Sequence, residues 1–240
     1  APALLLVGGH LVYLLAWVLA IVAASAAFRT TRGALTALLL GWILVVVLVP
    51  RIAGDVAATA TPTAPRSVVA IEAAAALRGE GDGHDENDRA FAEFRQEVLD
   101  RYGVDRIEDL PVNFRGLVAE RSEARGAAVL QEFALARQAA EQRQAEILRG
   151  FAWLSPMLAV RHLSMAAAGT DLENHHRFLN AAEAHRLAFV QGLNRLHAEG
   201  LTYADDVQRS DDPEAEQRTR VSAENWAELP DFSFHVAPAG

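Results

Sequence analysis

The stretch that decides the fold is Ala1–Pro50, APALLLVGGHLVYLLAWVLAIVAASAAFRTTRGALTALLLGWILVVVLVP. Its first 28 residues contain no acidic or basic side chain except His10, and Gly33–Pro50 contains none. At about 1.5 Å of rise per residue, a helix over the first run would reach roughly 42 Å, more than the ~30 Å hydrocarbon core of a bilayer. Only a helix pairs all of its own backbone groups within lipid. The sequence therefore predicts two membrane-spanning helices, over about residues 3–28 and 33–50, joined by a short loop.

A signal peptide and a buried soluble hairpin both fit this stretch less well. A signal peptide has a basic start and a short apolar core. Here no basic residue precedes the first run and a second run follows at once, although Ala24-Ser25-Ala26 imitates a cleavage site. A buried hairpin of a soluble protein would carry a polar stripe on each helix, and Leu35–Val49 has none.

The remaining residues, 51–240, are predicted to form one mostly helical extracytoplasmic domain, so the fold class is all-α. All 31 acidic residues and 20 of the 22 basic residues lie here, which gives 20 − 31 = −11. This charge argues against nucleic acid as a partner. Arg29 and Arg32 stand in the short loop between the spanning helices, and such a loop tends to stay in the cytoplasm. Ile52–Ala60 should continue the second helix outward.

Two long helices are predicted to pair lengthwise within this domain. The first covers Leu117–Arg149, which contains no proline. The second begins at a capping box of Thr170 and Glu173 and ends near Gly200. Its apolar residues recur at helical spacing and are predicted to pack against the first helix: Leu172, Leu179, Ala182, Phe189, Leu193 and Leu196.

A short apolar helix is predicted between the two long ones, in Leu154–Asp171 (LSPMLAVRHLSMAAAGTD). Ser155 is suited to cap its start and Gly169 to end it. About thirteen residues are too few to span a bilayer. The helix therefore belongs either to the core of the domain, which we favour, or to the membrane interface against the spanning helices. Trp226, Phe232 and Phe234 likewise form either an aromatic belt at the membrane or part of the core.

The sequence assigns no catalytic, cofactor-binding or metal-binding residue. There is no lysine, and hence no phosphate-binding loop of a P-loop ATPase. There is no cysteine. Histidine and glutamate cluster on the second long helix, at Glu173, His175, His176, Glu183 and His185. A di-iron bundle would need a second Glu-x-x-His helix, which is missing, so these histidines are interpreted as solvated and a membrane-anchored metalloenzyme is not favoured.

Three motifs carry a resemblance to a known family: Leu110–Gly116 (LPVNFRG), Leu154–Asp171, and Glu224–Phe232 (ENWAELPDF). Together with the spanning hairpin, they resemble bacterial ABC-2 type transporter permeases that carry a helical extracytoplasmic domain of unknown function. These are grouped with permeases of multicopper-enzyme maturation systems.

The resemblance implies a multi-pass permease subunit of the bacterial inner membrane, of unknown substrate. It implies a permease dimer in the lipid bilayer and a separate cytoplasmic ATP-binding subunit that hydrolyses ATP. It transfers no residue roles, no cofactor and no enzymatic activity to this chain. We further expect the chain to be part of a longer protein with additional spanning helices. The alternative is a membrane-tethered sensor or interaction domain without transport activity.

Overall fold

A computed structural model describes residues 2–79, 89–208 and 230–236, and within these residues the chain forms helices and no strand. The predicted all-α class is confirmed. The helices are α1 (Pro2–Ala27), α2 (Thr31–Trp42), α3 (Val49–Ala60), α4 (Arg66–Gly79), α5 (Arg89–Tyr102), α6 (Phe114–Gly150), α7 (Pro156–Ala168), α8 (Leu172–Gly200) and α9 (Tyr203–Gln208). Residues Ile107–Asp109 and Phe151–Trp153 form short 3₁₀ turns.

Two helices near the N-terminus are long and apolar enough to cross a membrane, Ala3–Ala27 and Thr31–Ala60. This suggests a membrane protein. The second helix runs on to Ala60, as the sequence predicted. Thr30 caps its start, because its side chain accepts a 3.2 Å hydrogen bond from the backbone N–H of Gly33.

The second apolar helix passes through a π-helical turn at Ile43–Leu48, between α2 and α3. Val49 donates its backbone N–H to the carbonyl of Leu44, five residues back. The turn directly precedes Pro50, which has no N–H and whose ring collides with the carbonyl four residues earlier in a regular α-helix. Widening the helix by one residue per turn relieves that collision, and the helix continues.

Contacts divide the chain into two compact units. The first unit contains residues 1–64, 135–179 and 234–240, and the second contains 65–134 and 180–233. The long helices α6 and α8 contribute residues to both. These units follow packing within the fold, whereas the predicted boundary at residue 50 separates membrane from extracytoplasmic segments and stays a prediction.

The second unit has a small apolar core around the ring of Phe114, at the start of α6. Phe91 of α5 meets this ring edge-on at 5.7 Å, and Phe94 stacks on it at 5.9 Å between centroids. The buried residues of the core are Val98, Leu99, Leu110, Phe114 and Val118. The motif Leu110–Gly116 therefore supplies both core residues and the first turn of α6.

Asn113 joins the start of α6 to the end of α8. Its backbone N–H donates to the carbonyl of Ala198 at 2.7 Å, and its side-chain oxygen accepts from the N–H of Gly116 at 3.1 Å. The side-chain amide donates to the Thr202 carbonyl and to Asp206. Helix α6 thus begins at Phe114, three residues before the predicted start, because Asn113 caps it.

In the second unit α6 and α8 run antiparallel, as predicted. Gln191 donates to the backbone carbonyl of Glu120, and Arg195 contacts the carboxylate of the same residue. One turn further along α6, Glu123 pairs with Arg186, which lies earlier on α8. The residue numbers rise along one helix as they fall along the other.

The predicted packing of the apolar stripe of α8 on α6 is corrected at one residue and otherwise stays a prediction. In the first unit Leu179 of this stripe is exposed. In the second unit Leu193 is half-buried. Gln191 and Ala198, which the stripe does not contain, also contact α6 there. Polar and small residues of α8 therefore take part in the contact with α6.

Gly116 should not tolerate a methyl group, whereas Gly126 on the same helix should. A Cβ at Gly116 would lie 2.6 Å from the Cα of Ala198, but one at Gly126 would meet only the Leu77 side chain at 3.7 Å. We expect Gly116→Ala to destabilise the fold by about 1–3 kcal/mol. Gly126→Ala should be neutral or stabilise by up to about 1 kcal/mol. Thermal unfolding in detergent compares them, and equal losses would contradict the close α6–α8 approach.

Candidate functional site

The short apolar helix α7 lies in the first unit against the two long apolar helices. It packs along α1 and reaches the π-helical turn of the second apolar helix. A Cβ at Gly9 of α1 would lie 3.6 Å from Cγ of Leu163 and closer still to one of its methyl groups. Glycine at position 9 is what allows this approach. The interpretation of α7 as core of a separate domain is therefore wrong, and the alternative location against the spanning helices is the observed one.

Ser155 connects α7 to the second apolar helix. Its hydroxyl oxygen caps α7, since it accepts a 3.4 Å hydrogen bond from the N–H of Leu158, as the sequence predicted. The same hydroxyl donates a 2.7 Å hydrogen bond to the backbone carbonyl of Val45. Ser155 is fully buried.

The Val45 carbonyl needs this donor for a reason that lies in the backbone. In a π-helical turn a carbonyl accepts from the N–H five residues later, and for Val45 that residue is Pro50, which has none. The alternative donor, the N–H of Val49, is directed to Leu44. An unpaired buried carbonyl costs roughly 1–3 kcal/mol. Because the Ser155 hydroxyl donates to the Val45 carbonyl, that carbonyl is paired and the cost is avoided.

The end of α7 follows the predicted signal at Gly169, which has φ +67°. A Cβ at this glycine would collide with the side chain of Val236. The next prediction fails in detail: Thr170 donates to the Met165 carbonyl, and α8 is capped by Asp171, which accepts from the N–H of Asn174 at 3.0 Å. The aspartate, one residue later than the predicted cap, is the side chain that reaches the free N–H groups of the first turn.

A buried histidine on α8 contacts a carboxylate of α6 in the first unit. Nε2 of His176 is 2.9 Å from Glu141, and Arg137 donates to the other oxygen of the same carboxylate at 2.8 Å. His176 is only 3% exposed, so its interpretation as a solvated histidine is wrong. Its Nδ1 is buried and has no hydrogen-bond partner among the described residues.

The carboxylate of Glu141 is held in its ionised form. Burial alone would raise its pKa, but the hydrogen bonds from His176 and Arg137 outweigh that effect and lower the pKa. The group is thus a charged link between two long helices. Each of its two oxygens is hydrogen-bonded to a protein side chain.

The other histidine and glutamate residues of α8 have ordinary surroundings. Glu183 forms a two-pronged ion pair with Arg186, and the ring of His185 lies 5.2 Å from that of Phe232. Glu173 and His175 are exposed. Across residues 2–79, 89–208 and 230–236 the structure has no cluster of three or more such side chains that could hold a metal ion.

The aromatic residues near the C-terminus divide between the two units. Phe234 packs edge-on against Phe178 in the first unit, with 5.3 Å between centroids. Phe232 contacts His185 in the second unit. Trp226 and most of the motif Glu224–Phe232 lie outside the described residues.

Sequence reasoning did not find the partners Val45 and Glu141. Val45 carries no side-chain signal, but Pro50 five residues later marks the carbonyl that loses its donor. Glu141 is one of several glutamates on α6, and nothing local distinguishes it from its neighbours. Its role depends on the contact with His176, 35 residues away.

Replacing His176 should destabilise the fold, whereas replacing its neighbour His175 should not. His176→Ala removes a buried ring and a partner of Glu141, which we expect to cost roughly 2–4 kcal/mol. His175→Ala removes an exposed ring and should change stability by less than about 0.5 kcal/mol. Equal effects of the two substitutions in thermal unfolding would contradict the buried pair.

Glu141→Gln should reduce stability in a way that depends on pH. Because the pKa of Glu141 is lower in the folded chain, its ionised form stabilises the fold above the unfolded pKa of about 4.3. That contribution is lost as the pH falls through the folded pKa. The melting temperature of Glu141→Gln should therefore lie below that of the wild type at about pH 7 and approach it at about pH 3. Glu146→Gln, at an exposed site on α6, is the control; a gap that stays constant with pH would be the contrary result.

One protein-family model covers all three motifs that carry the resemblance, Leu110–Gly116, Leu154–Asp171 and Glu224–Phe232. The family model described as Domain of unknown function (DUF3526) matches residues 68–235. The match spans 168 of the 240 residues, including Asn113, Ser155 and His176, and it excludes the two apolar N-terminal helices. No curated protein and no solved structure matches the chain. The chain belongs to the DUF3526 family.

Proposed function

We propose that this chain is part of the permease subunit of a bacterial ABC-2 type transporter. In this proposal the two apolar helices belong to the transmembrane part of a multi-pass inner-membrane protein. Residues 51–240 lie outside the cytoplasm. A separate cytoplasmic subunit binds and hydrolyses ATP, and two permease subunits form a dimer in the bilayer. The substrate class is left open.

The observation that carries the proposal is the docking of α7 on both apolar helices. A domain attached only by a tether needs no contact with its anchor beyond the connecting chain. Here the hydroxyl of Ser155 bonds to the backbone of the second apolar helix, and Leu163 packs on Gly9 of the first. The family-specific part of the chain and the apolar hairpin thus share one packed unit. This supports a domain that works together with the spanning helices.

The π-helical turn links the position of α7 to the conformation of the second apolar helix. Such turns inside α-helices are frequently found at functional sites. A shift of the second helix at Ile43–Leu48 would move the Val45 carbonyl, and with it the start of α7. In a transporter, that is a route by which motion of spanning helices reaches the extracytoplasmic domain.

A membrane-tethered sensor is the second candidate, and the contacts of Glu141 with His176 and Arg137 favour it. Because these contacts lower the pKa of the Glu141 carboxylate, they make the stability of the fold depend on pH. The two candidates differ in their partner, since only the permease requires an ATP-binding subunit.

The chain alone should not hydrolyse ATP, and hydrolysis should appear when it is joined to an ATP-binding subunit. The test is co-expression of the full protein with the ATP-binding subunit encoded beside its gene, followed by purification through a tag on the chain. We expect the ATPase to co-purify and its activity to depend on its own phosphate-binding lysine. Hydrolysis by the chain alone, or the failure of any such subunit to bind, would overturn the permease proposal.

The orientation in the membrane can be measured with single cysteines, because the chain has none of its own. Thr31→Cys lies at the loop between the apolar helices and leaves the capping residue Thr30 intact; Glu199→Cys is exposed on α8. In intact spheroplasts an impermeant maleimide should label Glu199→Cys and not Thr31→Cys. Permeabilised cells should label both, which is the control. The reverse pattern would place the domain in the cytoplasm.

A further inference from the structure

The depth of Ser155 can be read from its hydrogen bond. Val45 lies about 14 residues after Thr31, hence roughly 21 Å along the helix from the loop at Phe28–Thr30. The first charges after it are the ion pair of Arg51 and Asp55, which begins at roughly 30 Å, the thickness of a hydrocarbon core. A side chain that bonds to the Val45 carbonyl therefore lies at a depth inside the hydrocarbon layer.

The residues on either side of Ser155 have the composition that this depth requires. Phe151–Val160 contains no ionisable side chain, while Arg149 precedes it and Arg161 follows it. Trp153 is 94% exposed in the structure and Leu154 is 62% exposed. A water-exposed tryptophan and leucine side by side form a costly apolar surface, and this surface continues that of the spanning helices.

Several backbone donors of this segment have partners within the protein. Irregular backbone at membrane depth is tolerated only when its polar groups have partners within the protein. The N–H groups of Leu154 and Ser155 both donate to the carbonyl of Phe151, at 3.0 and 3.1 Å. Residue 156 is proline and has no N–H to satisfy, and the hydroxyl of Ser155 is bonded to Val45.

We propose that Phe151–Val160 is a re-entrant segment that lies in the half of the bilayer distal to the Phe28–Thr30 loop. The segment enters between Arg149 and Arg161, which stay at the polar surface. The exposed faces of Trp153 and Leu154 contact lipid acyl chains. The DUF3526 region thereby contributes its own membrane-embedded element beside the two spanning helices. The inference requires that those helices cross a membrane, but it does not depend on transport or on orientation.

The test is the depth of single nitroxide labels in the full chain reconstituted in phosphatidylcholine vesicles. Trp153→Cys and Leu154→Cys each carry the label, and Gln142→Cys, exposed on α6, is the matched control. Collisions with oxygen, which concentrates in lipid, are compared with collisions with a water-soluble nickel chelate. We expect the ratio of oxygen to nickel accessibility to be several-fold higher at residues 153 and 154 than at 142.

Any different outcome overturns the proposal. High nickel accessibility at 153 and 154 would place the segment in water. Low accessibility to both reagents would mean that protein, either a second copy or another helix, covers this face in place of lipid. Because both positions are exposed, their substitution should leave the fold intact, and circular dichroism verifies that each labelled variant keeps its helices. A missing ATP-binding partner would leave this result unaffected, so the two proposals can fail separately.

Discussion

The first unit depends on one missing hydrogen-bond donor. Pro50 stands inside a long apolar helix and has no N–H to offer to the carbonyls of the preceding turn. The helix responds with a π-helical turn, and the carbonyl of Val45 is paired by the hydroxyl of Ser155, 110 residues later in the chain. That bond fixes where α7 begins. A local backbone constraint thus determines where the family-specific region meets the apolar hairpin.

Residues of the motifs that carry the family resemblance lie where helices contact one another. Asn113 and Gly116 bring the start of α6 against the end of α8, and both act through backbone contacts with Ala198. Ser155 joins α7 to the second apolar helix, and Gly169 turns the chain beside Val236. Substitution of these residues should therefore change the packing of the helices. In this structure these residues position helices against one another.

Much of this architecture could be predicted from the sequence, because composition and local signals determine it. The apolar runs predict the spanning helices, and Ser155 and Gly169 bound α7 as local capping rules require. Contacts between distant residues could not be predicted. Gln191 and Ala198 lie outside the predicted apolar stripe of α8, and yet both contact α6. The burial of His176 likewise depends on Glu141, which no periodicity identifies.

The docking of α7 on the spanning helices is tested most directly by a disulfide between α1 and α7 in native membranes. Gly9→Cys with Leu163→Cys should cross-link rapidly on mild oxidation, because a Cβ at residue 9 meets the Leu163 side chain. Gly8→Cys with Leu163→Cys is the control, since a Cβ at residue 8 has no neighbour within 4 Å. Selective cross-linking of the first pair is the predicted result. No cross-link in either pair, or equal cross-linking in both, would show that α7 does not dock on the spanning helices through Gly9 and Leu163.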